Sequence, residues 1–479
     1  MKAIGILGTA SNVGKSWLVT ALGAWLRRQG IKVAPFKAQN MSNNSYVTLE
    51  GGEIGRAQAV QAQACGLRPI VEMNPILLKP TGGSSQLVIL GEAKEHIKAS
   101  NYYNKVETLW QTVTQCLEFW RDRCDVLLLE GAGSPVELNL MHRDIVNLRP
   151  IEYLNGKWIL VGDIEKGGVF AQLIGTYQLL PSQMQCRSLG LVVNKFRGDL
   201  SLFNGAESYF QQYIPGINYL GVLPFDGSLQ PESEDSLCQA AEQFGSGEKI
   251  VWVRFPHLSN SQDILPWKQD RGIQTLWAQT SQDIEDCRII VLPGTKDTIG
   301  DLLWLKANKL DQAIIKAYHN GAVIVGICGG YQMLGKTLTD RLGIAGSAGI
   351  VEGLGILPTH TEFSAYKTIK QVEMSYKSDR WLGYEIHMGE TIVLEQNNLP
   401  TLDNSRRIFV SDKVIGTYIH GLCESPEIRS TIIQLANIKN YEPYVIPWQQ
   451  EQQQLYNQMA DFIAANLNLS PISEYLDLT

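Results

Sequence analysis

The segment from Lys2 to Arg28 leaves the chain few choices of fold. An apolar strand, Ala3 to Leu7, runs into a glycine-rich turn ending Gly14-Lys15-Ser16, and an amphipathic helix follows through about Arg28. Strand, glycine loop and helix in that order make a phosphate-binding loop. Backbone N–H groups from Gly8 to Ser16 wrap a polyphosphate, Lys15 reaches its outer oxygens, and the Ser16 hydroxyl is placed to ligate Mg²⁺. Gly8, Thr9, Gly14, Lys15 and Ser16 are therefore the nucleotide-binding candidates. Five residues, not the usual four, separate Gly8 from Gly14.

The same rhythm of buried strand and polar loop continues to Pro224, which implies a doubly wound parallel sheet. VAPFKAQNMSNNSYV is a strand with a loop dense in Gln and Asn, offering Lys37, Gln39 and Asn40 where an open α/β sheet gathers its ligand. GRAQAVQAQACG reads as a helix of small residues, and MNPILLKPTGG puts Lys79 at the end of an apolar run. CDVLLLEGAGSPVELN is the clearest buried strand, since parallel strands read as continuous apolar runs. It delivers Glu130 to the place where a P-loop enzyme holds an acid near Mg²⁺. Asp144 follows in DIVNL, Asp163 ends the strand of KWILVGDIEKGG, and NKFRGD offers Asn194 and Lys195 to a nucleotide base. Lys37 and Asp144 are the candidates for carboxylate activation.

From Asp226 to Glu248 the chain turns polar, which marks a boundary. The expected divisions are residues 1–228, a linker at 229–247, an α/β domain at 248–440 and a helical tail at 441–479. In the later domain GAVIVGICGGYQMLG, Gly321 to Gly335, is a buried strand that breaks off in glycines around Cys328. Gly326 and Gly330 give the G-x-nucleophile-x-G spacing of an elbow, with the thiol at a helix N-terminus that favours thiolate and can hold an oxyanion. Gly329 and Gly294, the latter in LPGTKDT, are the oxyanion candidates. VIGTYIHG ends a second β-branched run in His420, the candidate base. GYEIHMGE is expected to place Glu385 and His387 on opposite sides of a short strand, and neither is assigned to catalysis. The tail PWQQEQQQLYNQMADFIAANL reads as an amphipathic helix with a solvated glutamine cluster.

Composition narrows the class further. The 479 residues are 44% hydrophobic and 19% charged, with a net charge of −7 and no long charged block, which argues against a nucleic-acid binder. Eight scattered cysteines without a CxxC pair fit neither zinc nor a disulfide scaffold and suit a reducing cytoplasm. No apolar run approaches the ~18 residues of a membrane span, and the short run at Met1 to Leu7 is no signal sequence.

The Cys elbow, the later strand and its terminal histidine resemble the class I glutamine amidotransferases. In that family a thiolate attacks the side-chain amide of glutamine, and a Glu two residues after the His usually orients the imidazole. Here that position is Leu422. A Cys328–His420 dyad without a third member looks like the branch that amidates corrinoids, with backbone or packing left to orient His420. The irregular P-loop resembles the dethiobiotin synthetase branch. In their order and joint presence GTASNVGKS, FKAQNMSNNS, MNPILLKP, EGAGSPVELN, VGDIEKGGVF, NKFRGD, LPGTKDT, GICGGYQ, GYEIHMG and GTYIHG look like the cobyric acid synthase family.

That resemblance implies an N-terminal P-loop NTPase-like synthetase domain and a C-terminal class I glutamine amidotransferase domain. It also implies ATP with Mg²⁺ and no tightly bound organic cofactor. The implied partners are adenosylcobyrinic acid a,c-diamide, glutamine and ATP, with neither nucleic acid nor membrane. Two other readings stay open: the sister cobyrinic acid a,c-diamide synthases, and a non-catalytic P-loop partner with a dead amidase-like domain.

Overall fold

The computed structural model describes residues 1–81, 84–232, 243–345, 349–394, 400–403 and 407–478, which divide into two compact units. Most of the expected 229–247 linker, residues 233–242, lies outside the described residues.

The first unit comprises Met1–Ser42, Ile54–Glu232 and Gln452–Thr479. Its six-stranded sheet has the order Tyr219–Pro224, Ser188–Phe196, Lys157–Asp163, Lys2–Gly8, Val126–Glu130, Val33–Phe36. Every pairing is parallel, so the expected doubly wound parallel sheet is what forms. Side chains alternate across a strand, so Ile4 and Ile6 enter one apolar layer while Ala3 and Leu7 enter the other. Helix Lys15–Arg28 covers the first of these layers through Leu18, Val19 and Leu22. Tyr456, Met459 and Ile463 from helix Trp448–Asn466 join the same layer. At about 1.5–3 kcal/mol for each large apolar side chain taken out of water, this packing explains why residues 452–479 group with the first sheet. Gln452, in the cluster expected to be solvated, is itself buried. The ends of the central strands Lys2–Gly8 and Val126–Glu130 bring the P-loop beside Glu130.

The second unit comprises Asn43–Glu53 and Ser233–Glu451. Its seven-stranded sheet is ordered Phe244–Gly245, Gly272–Ala278, Gly247–Val253, Ile289–Leu292, Val323–Ile327, Val414–Thr417, Ile408–Ser411, with a parallel interior and an antiparallel strand at each edge. A long antiparallel hairpin, Thr359–Tyr376 with Asp379–Val393, stands beside it. That hairpin corrects the expectation for Glu385 and His387. Residues two apart on a strand share a face, and the His387 Nε2 lies 3.5 Å from Glu385 Oε2.

Candidate active site

In the second unit the fully buried strand Val323–Ile327 delivers Cys328 at φ 53° and ψ −111°, and helix Gly329–Met333 follows at once. This left-handed backbone costs a residue with a side chain on the order of 1–3 kcal/mol, strain that packing must hold. The spacing glycines are required by space. A β-carbon at Gly330 would run into the Leu292 carbonyl, and one at Gly326 would press on the backbone of Tyr331 at 2.8 Å. The Cys328 Sγ lies 3.5 Å from the Ile386 carbonyl. His420 is fully buried just past strand Val414–Thr417. Its backbone exchanges hydrogen bonds of 2.9 and 3.2 Å with Tyr384, whose ring stacks on the imidazole at 5.1 Å.

The imidazole does not lack a carboxylate. Asp263 Oδ2 stands 2.7 Å from His420 Nδ1, and Oδ1 accepts the Gly421 N–H at 2.8 Å. Asp263 comes from the 3₁₀ turn Ser261–Trp267, so the expectation that backbone or packing alone orients His420 is replaced by a Cys328, His420, Asp263 arrangement. Burial by itself would lower the imidazolium, but Asp263 and the neighbouring Cys328 outweigh it and push His420 up to about 10. Asp263→Asn is expected to lower kcat for glutamate release by roughly 10²- to 10⁴-fold, because the wrong tautomer is then favoured. A group whose folded value is raised stabilises the fold fully below its unfolded value and loses that contribution as pH climbs through the folded one. The melting-temperature gap between parent and variant should therefore be widest below pH 6.5 and close toward about pH 10. Unchanged kcat would remove Asp263 from the site.

Both oxyanion candidates are brought to the elbow. A β-carbon on Gly294 would lie 2.7 Å from His420 Cε1, and one on Gly329 would lie 3.3 Å from the Thr295 nitrogen. The turn carrying Gly294 is braced from below by buried Asp301, which accepts from the Thr295 hydroxyl and, at 3.2 Å, from the His257 N–H. Gln332, one turn past Cys328, accepts from Thr298 at 3.1 Å and donates to the Met388 carbonyl at 2.9 Å.

In the first unit Gly14 has φ 106°, and a β-carbon there would collide with the Asn194 amide. Lys15 Nζ bonds the carbonyls of Ala10 (2.8 Å) and Gly133 (3.1 Å), folding across the loop it belongs to. Thr9 Oγ1 donates to Gln172 at 3.1 Å. Asn194 donates to the Val13 carbonyl at 2.8 Å, while Lys195 reaches the Asn12 carbonyl at 2.6 Å and Asp163 at 2.9 Å. Both NKFRGD residues thus brace the phosphate loop. Ser16 Oγ and Lys37 Nζ each lie 2.8 Å from Glu130 Oε1, and Gln58 and Gln61 approach its other oxygen. Burial alone would raise the Glu130 carboxyl, yet Lys37, Gln61 and Ser16 hold it below the ordinary carboxylate range. An ionised carboxylate beside a hydroxyl is a donor pair that suits a hard, oxygen-seeking cation such as Mg²⁺. Among the described residues no group of three or more His, Cys, Asp or Glu could hold a metal ion.

Asp144 stands elsewhere in this network. Its Oδ1 accepts the N–H groups of Val146 and Asn147, and its Oδ2 accepts from the Asn147 side chain at 2.7 Å, which in turn donates to the Ala132 carbonyl at 3.0 Å. The acid pins a turn under the Gly131–Gly133 loop. Asn40 donates to Gln58 at 2.8 Å, and Gln39 is bonded by Tyr102. Sequence reasoning missed Asp263, Gln58 and Gln61. The glutamines carry one readable signal, polar residues three apart on a helix of small residues, facing one partner.

Residues 4–237 match the family model described as the CobQ/CobB/MinD/ParA nucleotide binding domain, and residues 249–428 match the CobB/CobQ-like glutamine amidotransferase domain. The chain is 38% identical over 494 residues to a cobyric acid synthase of Synechocystis sp., with 99% of each chain covered. The chain belongs to the cobyric acid synthase family. Other cobyric acid synthases support the same placement. That of Roseiflexus castenholzii is 40% identical over 447 residues, covering 90% of each chain. That of Thermodesulfovibrio yellowstonii is 38% identical over 493 residues, covering 100% of each. As in the family, a nucleotide-binding unit and a glutamine amidotransferase unit share one polypeptide. Among the described residues no helix is long and apolar enough to cross a membrane.

Proposed function

We propose that the chain converts adenosylcobyrinic acid a,c-diamide into adenosylcobyric acid, amidating the b, d, e and g carboxylates at the expense of ATP and glutamine. Residues 1–228 would serve as the synthetase part and 248–440 as the glutaminase part, in the cytoplasm. The observation that carries this reading is the strained Cys328 elbow beside the His420–Asp263 pair, in a chain that also holds a P-loop.

In the glutaminase part the Cys328 thiolate adds to the side-chain amide carbon of glutamine, while the N–H groups of Gly294 and Gly329 receive the oxyanion. His420 gives its Nε2 proton to the departing ammonia as the C–N bond breaks, then takes one from the water that cleaves the glutamyl thioester. Asp263 holds the Nδ1–H throughout. In the synthetase part a corrinoid carboxylate attacks the γ-phosphorus of ATP, giving an acyl phosphate and ADP. Ammonia then displaces phosphate from the carbonyl. Lys15, with the Gly8, Thr9 and Gly14 backbone, holds the transferring phosphoryl group, and Asn194 and Lys195 keep that loop in shape. Lys37 neutralises the incoming carboxylate, and Asp144 positions the loop after Glu130. Mg²⁺, when bound, supplies positive charge at the polyphosphate, and Ser16 and Glu130 are the residues that would hold it.

Glu130→Gln is expected to raise the Mg²⁺ concentration needed for half-maximal ATP cleavage by at least about tenfold. An unaltered Mg²⁺ titration would take Glu130 away from the metal. The overall reading is tested by mass spectrometry of cobyrinic acid a,c-diamide incubated with protein, ATP, Mg²⁺ and glutamine. Stepwise gain of four amides supports it, and an unreacted diamide with ongoing ATP cleavage refutes it.

A further inference from the structure

The turn 292–297, which sets Gly294 against His420, is tied down from three sides. From the stretch before Asn260, the Ser259 N–H donates to the Gly294 carbonyl at 3.0 Å, the His257 carbonyl accepts the Lys296 N–H at 3.0 Å, and Leu258 bridges to Thr295. From the elbow helix, the Gly330 N–H donates to the Pro293 carbonyl at 3.2 Å. The third tie is an acid. Asp301, on helix Thr298–Ala307, is fully buried and accepts from the Thr295 hydroxyl with Oδ2. His257 stands behind it, its Nδ1 2.8 Å from Asp301 Oδ1 and its side chain 39% exposed. The thioester chemistry uses neither side chain.

The Thr295 hydroxyl has one hydrogen and two acceptors within reach, Asp301 Oδ2 and the His257 carbonyl at 3.2 Å. The ionisation of Asp301 decides between them. A carboxylate only accepts, so it draws the hydroxyl hydrogen into a charge-assisted bond, roughly twice as strong as a neutral one. Once protonated, Asp301 is a neutral acid, and the hydroxyl is free to turn to the His257 carbonyl. Burial pushes the Asp301 carboxyl above its ordinary range, and the bonds from Thr295 and His257 work against that rise. The stretch 255–260 brings His257 into contact with this acid, the turn brings Lys296 and Asp297 near it, and its own helix carries Lys306 in the last turn. Asp297 Oδ1 is taken up by the Gly300 N–H at 2.8 Å, and Lys306 donates to the Glu352 carbonyl, which leaves His257 as the titratable group held against Asp301.

We propose that His257 and Asp301 are a positioning pair for the oxyanion site: Asp301 holds Thr295, His257 holds Asp301, and the Gly294 N–H is thereby kept aimed at the glutamine carbonyl as it gains charge. The inference rests on the glutaminase reading of the second unit. The pair itself touches no reacting atom. The carbonyl oxygen carries a full negative charge only in the tetrahedral adduct, so a turn set askew weakens an interaction made in the transition state and lowers kcat while leaving KM in place.

The test measures glutamate release from glutamine across pH in three variants. Asp301→Asn puts a neutral amide of the same shape in place of the carboxylate, and its kcat should fall about 10- to 100-fold, less than or equal to the loss when an oxyanion donor is removed outright. KM for glutamine should stay within about twofold of the parent. His257→Leu keeps the backbone N–H and loses the ring donor at a half-exposed position. Without that donor the Asp301 carboxyl rises further, so kcat should fall and the acid limb of its pH profile should move to higher pH. His257→Asn sets an amide N–H about where Nδ1 stood and should restore the parent profile. A His257→Leu profile identical to the parent's would overturn the pair, as would His257→Asn as impaired as His257→Leu, or a change in KM alone. Should Asp301→Asn fail to fold in a thermal melt, the two His257 variants decide by the same outcomes. A parent that releases no glutamate refutes the glutaminase reading and the pair with it; a parent that does, with kcat indifferent to both positions, refutes only the pair.

Discussion

Cys328→Ser is expected to abolish amidation from glutamine and to spare amidation from ammonia. The thioester route needs a sulfur nucleophile, and the elbow holds one at a helix start near the buried His420–Asp263 pair. A hydroxyl in the same place is a far weaker nucleophile, and loss of the nucleophile in a comparable triad costs about 10⁶ in kcat. Exogenous ammonia bypasses the thioester. The measurement pairs glutamine with concentrated ammonium salt at mildly alkaline pH, each followed by mass spectrometry of the corrinoid. Glutamine-driven product from the serine variant would refute the nucleophile. Failure with ammonium salt as well would show that the elbow also supports the synthetase.

Lys15→Ala should stop amidation from either nitrogen source, because the acyl phosphate no longer forms. Lys15 bridges Ala10 and Gly133, so its ammonium already sits over the cradle that the Gly8 to Ser16 backbone makes. Removing a preorganised cation from a phosphoryl-transfer site costs several kcal/mol of transition-state stabilisation, about 10³-fold or more in rate. Glutamate release in the absence of ATP and corrinoid should persist, since Cys328, His420 and Asp263 all belong to the second unit. Near-normal turnover with ammonium salt would remove Lys15 from the mechanism.

What could be read in the sequence was what local pattern encodes. VLLLE, IIVL and VIVGI are strands buried on both faces, and such strands show as unbroken apolar runs. The elbow was legible because Gly326, Cys328 and Gly330 meet one steric demand within five residues. Asp263 was not, because it lies 157 residues from His420 in a segment, SNSQDIL, that reads as polar loop. The place of Glu130 beside the P-loop is legible from its position at the end of a strand, whereas Gln58 and Gln61 lie in a helix of small residues that gives little sign of them. An acid near a nucleotide loop suggests chemistry at Asp144, and its hydrogen bonds are those of a turn cap. Glu385 and His387 are two apart on one strand, so the period of two puts them on the same face and not on opposite ones.

The division of the polypeptide bears on how it leaves the ribosome. The chain passes from one unit to the other at Ser42–Asn43, Glu53–Ile54, Glu232–Ser233 and Glu451–Gln452. Domains generally complete in order of synthesis, the N-terminal one first. Here the order is reversed: the sheet begun at Lys2 lacks Tyr456, Met459 and Ile463 until the helix that carries them emerges, while the residues grouped with the second sheet have all been made by Glu451. A nascent chain released early would carry a complete second unit and an incomplete first one, with the apolar layer over Leu18 and Leu22 open to water.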